Sequence, residues 1–316
     1  MKDRYVIGID LGGTKISGAV ANFEGDIIFK YTLPTKAEEG EKAVLDRIIA
    51  VVKKVIEESK LDKDAIVSIG IGSPGPLDAK EGKIITTPNL PFKNFNIVKP
   101  LVDEFHIPVY LDNDANVAAI GEYVFGAGKE TNNMVFITVS TGIGGGAILN
   151  GKIYRGNTCN ALEIGHMTLE KNGPRCNCGN YGCAEALASG TAIGKFAREV
   201  VEKGQKTSLS NYKNITSYEV FKEAENGDFE AQNILNTALH YLGISVSNVI
   251  TSFDPEMVVI GGGVSKGGKI VFDKVNEVVK ERCFKSMAKN TKIVPAALGT
   301  DAGVIGAVAL ALIESK

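Results

Sequence analysis

A glycine-threonine hairpin signal near the start of the chain returns 128 residues later, and no other feature restricts the fold so narrowly. "RYVIGIDLGG" (Arg4 to Gly13) and "ISGAVANFEGDIIFKYTL" (Ile16 to Leu33) read as successive strands of an antiparallel meander, with turns at Gly12-Gly13 and at Glu24-Gly25-Asp26. At Met134 the pattern restarts. "GAVANFEGDI" at Gly18 is echoed by "GAILNGKI" at Gly146, each preceded by a glycine-threonine turn, "DLGGTK" in the first case and "STGIGGG" in the second. The alternative to a duplicated unit is coincidence among glycine-rich strands. A true repeat predicts two similar domains, each lending one such turn to a cleft between them, and clefts between domains are favoured ligand sites.

The remainder of the chain supplies helices and further strands. From Glu41 to Ser59, Val44, Leu45, Ile48, Val52, Val55 and Ile56 recur at helical spacing while Lys53, Lys54, Glu57 and Glu58 fill the other face. "AIVSIGIGSPGP" (Ala65 to Pro76) is a buried strand ended by a Pro-Gly-Pro loop, and "IPVYLDND" is a strand running into a helix that opens "DANVAAIGEYVFG". Helices are expected over Glu185 to Lys203, Tyr218 to Glu225, Asp228 to Phe253 and Gly268 to Phe284, with a last one from near Asp301. The strand "EMVVIGGGVS" ends in three glycines. Such a turn lets backbone N–H groups approach a phosphate, although many parallel sheets use one only for packing.

At 316 residues the chain exceeds the size of one hydrophobic core. We therefore expect an α/β protein with an N-terminal domain over residues 1–118, completed by helix 301–316, and a larger C-terminal domain over 119–300. The net charge of -2 comes from 35 basic and 37 acidic residues without a basic stripe, which argues against nucleic acid as a partner. The longest apolar run, Gly303 to Ile313, is about half of the ~20 residues a membrane helix needs. The start lacks a cleavable apolar segment, so a cytoplasmic location without membrane contact is expected. Five cysteines, three of them within "EIGHMTLEKNGPRCNCGNYGCAE" (Glu163 to Glu185), read as metal or catalytic chemistry rather than a disulfide framework.

These segments together resemble the ROK family of sugar kinases and repressors, within the two-domain actin-like ATPase (ribonuclease H-like) fold. The resemblance runs along the whole chain through "GIDLGGTK", "GIGSPGPLD", "TPNLP", "LDNDANVAA", "STGIGGG", "EIGH", "CNCGNYGCAE" and "VVIGGGVS". It implies an ATP-dependent hexose kinase, most similar to bacterial glucokinases. ROK repressors carry an N-terminal helix-turn-helix domain, whereas this sequence begins directly with the first kinase strand. Fructose, N-acetylmannosamine, N-acetylglucosamine and allose are rival substrates, polyphosphate is a rival donor, and a non-catalytic sugar sensor is the rival function. Family members often form dimers or tetramers.

His166, Cys176, Cys178 and Cys183 give the order H-x9-C-x-C-x4-C, one imidazole and three thiolates, which suits a closed tetrahedral Zn²⁺ site. Four protein ligands leave no place for a catalytic water, so the zinc is expected to be structural; the alternatives are an unconnected set of side chains or a redox pair. Cys159 and Cys283 fall outside the pattern and read as ordinary buried or half-buried thiols. The resemblance implies that Glu163, His166 and Glu185, with Asn89 and Asn113, hydrogen-bond the sugar hydroxyls. It makes Asp114 the base that takes the proton from the attacking hydroxyl, although from the residues alone a helix cap is the simpler reading of an Asp before "ANVAA". Gly12, Gly13, Thr14 and Lys15, with Thr141, Gly142 and Gly144, are expected at the triphosphate. Asp10 is expected at a hydrated Mg²⁺, and Gly262 and Gly263 near the adenosine. Where relatives carry glycine just before "EIGH", this chain has Leu162. Its side chain is expected to fill the recess that an N-acetyl group would need, which favours glucose.

Overall fold

The computed structural model describes residues 4–87 and 89–315. The chain folds as two compact units. The first comprises the chain up to Glu130, Gly146–Ala161 and the chain from Ala297 onward; the second comprises Thr131–Gly145 and Leu162–Ala296.

The first unit opens with β1 (Tyr5–Leu11), β2 (Lys15–Asn22), β3 (Ile27–Pro34), α1 (Glu41–Ser59) and β4 (Ile66–Ser73). A small antiparallel sheet of β5 (Leu77–Asp78), β6 (Lys83–Thr86) and β7 (Lys93–Asn96) follows, then α2 (Val98–Phe105), β8 (Val109–Asn113) and α3 (Asp114–Val124). The main sheet has the order β3-β2-β1-β4-β8; β1 pairs antiparallel with β2 and parallel with β4, and β4 pairs parallel with β8. Both faces of this sheet are covered, so β1 is almost continuously apolar rather than alternating. Ile7, Ile9 and Leu11 join the α1 residues Val44, Ile48, Val51, Val52 and Val55 in one core. The expected helix has the bounds read from sequence; Val51 joins its buried stripe, while Leu45 and Ile56 lie only at its edge.

The chain continues through β9 (Met134–Val139), β10 (Ile143–Leu149), β11 (Lys152–Ile153), α4 (Ala184–Ala188), α5 (Gly190–Glu202), α6 (Ser217–Glu225) and α7 (Phe229–Phe253). Then come β12 (Met257–Gly261), α8 (Lys269–Arg282), α9 (Lys285–Asn290), β13 (Lys292–Pro295) and α10 (Ala302–Glu314). The second sheet has the order β11-β10-β9-β12-β13, with β12 parallel to both β9 and β13. A shift of 128 residues carries β1 and β2 onto β9 and β10 to within one residue, and the two sheets share one strand order. The repeat is therefore topological, not a coincidence of glycine-rich strands.

Helix α10 belongs to the first unit and lies against β1 and β4. Glycines permit this approach: a Cβ on Gly8 would stand 2.4 Å from Val308 N, and one on Gly70 would stand 2.1 Å from Ala307 O. Helix α10 carries the apolar run noted above, and among the described residues no helix is long and apolar enough to cross a membrane.

Three expectations need correction. The boundary expected between residues 118 and 119 falls inside α3, which stays whole in the first unit. The cause is Glu122, fully buried, whose carboxylate accepts the N–H groups of Ala127 (2.8 Å), Ala297 (3.1 Å) and Leu298 (2.9 Å). The helix expected from Glu185 is two helices, because Ser189 leaves helical geometry and caps α5 by accepting from Ala192 N at 3.1 Å. Asp114 is not the cap of α3. Asn113 takes that role, its side chain accepting from Ala115 N at 2.9 Å, and Asp114 is the first helical residue.

Candidate active site

In the first unit the β1–β2 turn is pinned from below. Gly12 N donates to Lys15 O at 3.0 Å, and the buried Thr35 donates its hydroxyl to Gly12 O at 2.6 Å. Thr14 and Lys15 remain exposed. A Cβ on Gly13 would stand 2.7 Å from Asn89 Cβ, so the residue expected at the sugar and the turn expected at the phosphates are neighbours. Asp10 lies at the end of β1 beside the first turn of α10, where a Cβ on Gly303 would stand 2.6 Å from its Oδ2. Burial pushes the Asp10 carboxyl above the ordinary carboxylate range, against the opposing pull of Lys15 and Lys30. A partly buried carboxylate with this bias gains from a divalent cation, which suits the expected Mg²⁺ role.

At the end of β8, Asn113 spends its Oδ1 on the cap, and its Nδ2 lies beside the Gly75 loop, 3.2 Å from a Cβ built there. The Asp114 carboxylate is on the exposed side of the same turn. Asp112, one residue earlier, is fully buried and was not singled out from sequence. Its Oδ2 accepts from Arg155 Nε at 2.7 Å, and Arg155 Nη2 reaches Glu314 at 2.6 Å. Burial works against the Arg155 charge, but Asp112 and Glu314 outweigh it and hold the guanidinium protonated above its ordinary range.

In the second unit, His166, Cys176, Cys178 and Cys183 bring one ligand atom each to within 4.8 Å of one another. Cys178 Sγ and Cys183 Sγ are 3.7 Å apart, as are Cys176 Sγ and His166 Nδ1. A disulfide needs about 2.05 Å between sulfurs, whereas a tetrahedral zinc with Zn–S of about 2.3 Å separates them by about 3.8 Å. The residues therefore fit a zinc ion through Nδ1, which leaves His166 Nε2 for another partner. Short bridges, Thr168 with Cys183 and Arg175 with Tyr181, fold the loop. Gly182 sits at φ 64 where a Cβ would meet Glu170 O at 1.6 Å, so no other residue fits there.

Glu163 is exposed at the start of the short turn Ile164–His166. Glu185, two residues after Cys183, braces the β9–β10 turn: its Oε2 accepts from Ile143 N at 3.1 Å, and a Cβ on Gly142 would stand 2.4 Å from that oxygen. Leu162 holds φ 66, the left-handed region that favours glycine. Beyond this turn, Ser140, Thr141 and Gly263 share a cavity of about 290 Å³ with Thr191, Arg198 and Thr216. Gly262 lies behind it at φ 89, packed on Val139 O, and Gly144 is inside β10.

Residues 6–314 match the ROK family. The chain belongs to the ROK family. It is 35% identical, over 97% of its length and 94% of the relative's, to a glucokinase of Halalkalibacterium halodurans. A xylose repressor of Caldicellulosiruptor bescii is 31% identical over 97% of this chain, which spans 78% of the repressor. Among solved structures, a ROK family glucokinase from Streptomyces griseus in complex with glucose and AMPPNP superposes with a TM-score of 0.78 at 30% identity, covering 97% of this chain and 99% of that one. The actin-like ATPase fold implied by the motifs is the fold of this ROK protein.

Two residues that line the Thr141 cavity do not stand out in the sequence. Arg198 donates to Ile215 O at 2.6 Å and so holds one wall of the cavity, but a lone helical arginine gives no sign of that. The neighbouring Thr216 was legible in principle, since Thr216 and Glu219 form a capping box at the start of α6.

Proposed function

We propose that this ROK protein transfers the γ-phosphoryl group of ATP to the 6-hydroxyl of glucose. The observation that carries the reading is the β8–α3 turn. Asn113 is the cap; Asp114 shares the Ala115 N–H through Oδ1 at 2.8 Å, and the residue is exposed at the start of the helix, where a base can meet a substrate. In the reaction the sugar O6 attacks the γ-phosphorus, its proton passes to Asp114, and the bond to the bridging oxygen breaks to release ADP. Positioning and charge stabilisation supply most of the catalysis in such transfers.

The other residues take roles that agree with their surroundings. Asn89, Asn113, Glu163, His166 and Glu185 hydrogen-bond sugar hydroxyls, with charged acceptors giving the stronger bonds. Gly12, Gly13, Thr14, Lys15, Thr141, Gly142 and Gly144 take the phosphates, and Asp10 the hydrated Mg²⁺. The cavity lined by Ser140, Thr141, Thr191, Arg198, Thr216 and Gly263 takes the nucleoside, a reading supported by its place beside the Thr141 turn. Zinc, held by His166, Cys176, Cys178 and Cys183, supplies a closed structural clamp for the loop that carries Glu163 and Glu185.

The similarity to a xylose repressor favours one other reading, a sugar sensor without turnover. A coupled assay with glucose, fructose, allose, N-acetylmannosamine and N-acetylglucosamine, each with ATP or polyphosphate, tests both. ATP-dependent turnover with glucose at the highest kcat/KM is expected. Sugar binding without turnover on any donor would leave the sensor, and an N-acetylated sugar ranked first would refute the Leu162 argument.

A further inference from the structure

The side chain of Asp112 brackets the turn that carries Asp114. Its Oδ1 accepts from Asn113 N at 2.8 Å and from Asn116 Nδ2 at 2.8 Å, so the residues before and after Asp114 are tied to one oxygen. Its Oδ2 is the acceptor for Arg155 Nε at 2.7 Å. Asp112 is fully buried, and Asn116 is 2% exposed with its own Oδ1 lacking any partner. A buried amide with one unmet acceptor is a cost that an apolar residue at position 116 would avoid. What the amide provides in return is a second donor to Asp112. A buried carboxylate also requires a cation, and Arg155, from the segment after β11, is that cation. Arg155 is fixed in turn by Glu314 at the end of α10.

We infer that Arg155 is a positioning residue for the base, acting through Asp112 to hold the Asn113–Asn116 turn and hence the Asp114 carboxylate. The inference rests on the assignment of Asp114 as base. Arg155 anchors Asp112 on the oxygen opposite the turn; without that anchor the carboxylate rotates, and both donors from the turn lose their common acceptor. Of the residues assigned to the hexose hydroxyls, Asn89, Glu163, His166 and Glu185 lie off this turn and only Asn113 on it, while proton transfer depends wholly on where Asp114 stands. Loss of the anchor should therefore lower kcat and leave sugar affinity nearly unchanged.

The test uses the full chain purified with its metal. In the double variant Arg155→Met with Asp112→Asn, the buried carboxylate and its half-buried guanidinium partner are both replaced by neutral groups of similar size, a change that folded proteins commonly tolerate. Melting temperature, glucose affinity by calorimetry, and kcat are measured beside Asp114→Asn. We expect a cooperative melt, a glucose Kd within about threefold of the parent, and a kcat lowered by about ten- to a hundredfold. A kcat within twofold of the parent in a folded double variant overturns the inference. Should the double variant fail to melt cooperatively, Arg155→Lys, which keeps the buried charge compensated but loses the guanidinium fork, carries the test. It should lower kcat at least about threefold at unchanged glucose Kd, and a parental kcat overturns the inference. If Asp114→Asn itself keeps its kcat, the base assignment fails and this inference with it; if Asp114→Asn is inactive and the Arg155 variants are not impaired, only the inference fails.

Discussion

Replacing Gly303 with alanine would probe the Asp10 site without attacking the fold. The added Cβ would stand 2.6 Å from Asp10 Oδ2, 2.7 Å from its Cγ and 2.9 Å from Oδ1, and no other atom is nearer. Ordinary contact begins at 3.4 Å. The carboxylate must therefore retreat by about 0.8 Å, the difference between 3.4 and 2.6 Å, and a misplacement of about 1 Å can cost about a hundredfold in rate. The moving group is the end of a side chain, so the backbone need not yield. Alanine within α10 also gains up to about 1 kcal/mol of helix propensity over glycine. We expect an unchanged or slightly raised melting temperature. Half-saturation by Mg²⁺ should rise, and kcat should fall about ten- to a hundredfold, about 1.4–2.7 kcal/mol on the barrier. The assay is a Mg²⁺ titration at saturating ATP and glucose, with calorimetric glucose binding as the control that should not move. Parental Mg²⁺ half-saturation and parental kcat in the folded variant would refute the placement of the cation at Asp10.

Elemental analysis of freshly purified, unchelated protein should find one zinc per chain, and chelation should increase proteolysis within Glu163–Glu185; active protein without zinc would end the assignment of His166, Cys176, Cys178 and Cys183. Asp114→Asn should bind glucose normally and lose about 10² to 10⁴-fold in kcat, the usual contribution of a general base, whereas near-parental turnover would mean that another group takes the proton. Leu162→Gly relieves a left-handed leucine, which the more flexible unfolded chain offsets, so its melting temperature should move little. Opening the recess should nonetheless raise kcat/KM for an N-acetylated hexosamine relative to glucose by about tenfold, measured in the coupled assay, and an unchanged ratio would show that Leu162 does not gate that position.

The limits of α1, the two Gly-Thr hairpins and the Cys₃His spacing could all be read from the sequence, because each depends on groups a few residues apart. Helical periodicity selects a buried face whatever that face meets. A ligand spacing of nine, one and four residues restricts what the loop can close around. Leu162 is visible in the sequence as a departure, but its left-handed φ is not, since a backbone angle there is imposed by the chain on either side of it. Tertiary structure alone decided the features that join distant segments. Glu122 draws Ala297 and Leu298 to α3 and so moves the unit boundary, Arg155 reaches back to Asp112, Arg198 holds Ile215, and Gly303 closes on Asp10. A carboxylate, a guanidinium or a glycine looks the same in sequence whether it faces water or a partner from another segment of the chain. Burial settles which it is: once water is excluded, a charge must find its counterion, and that partner is chosen by the path of the whole chain.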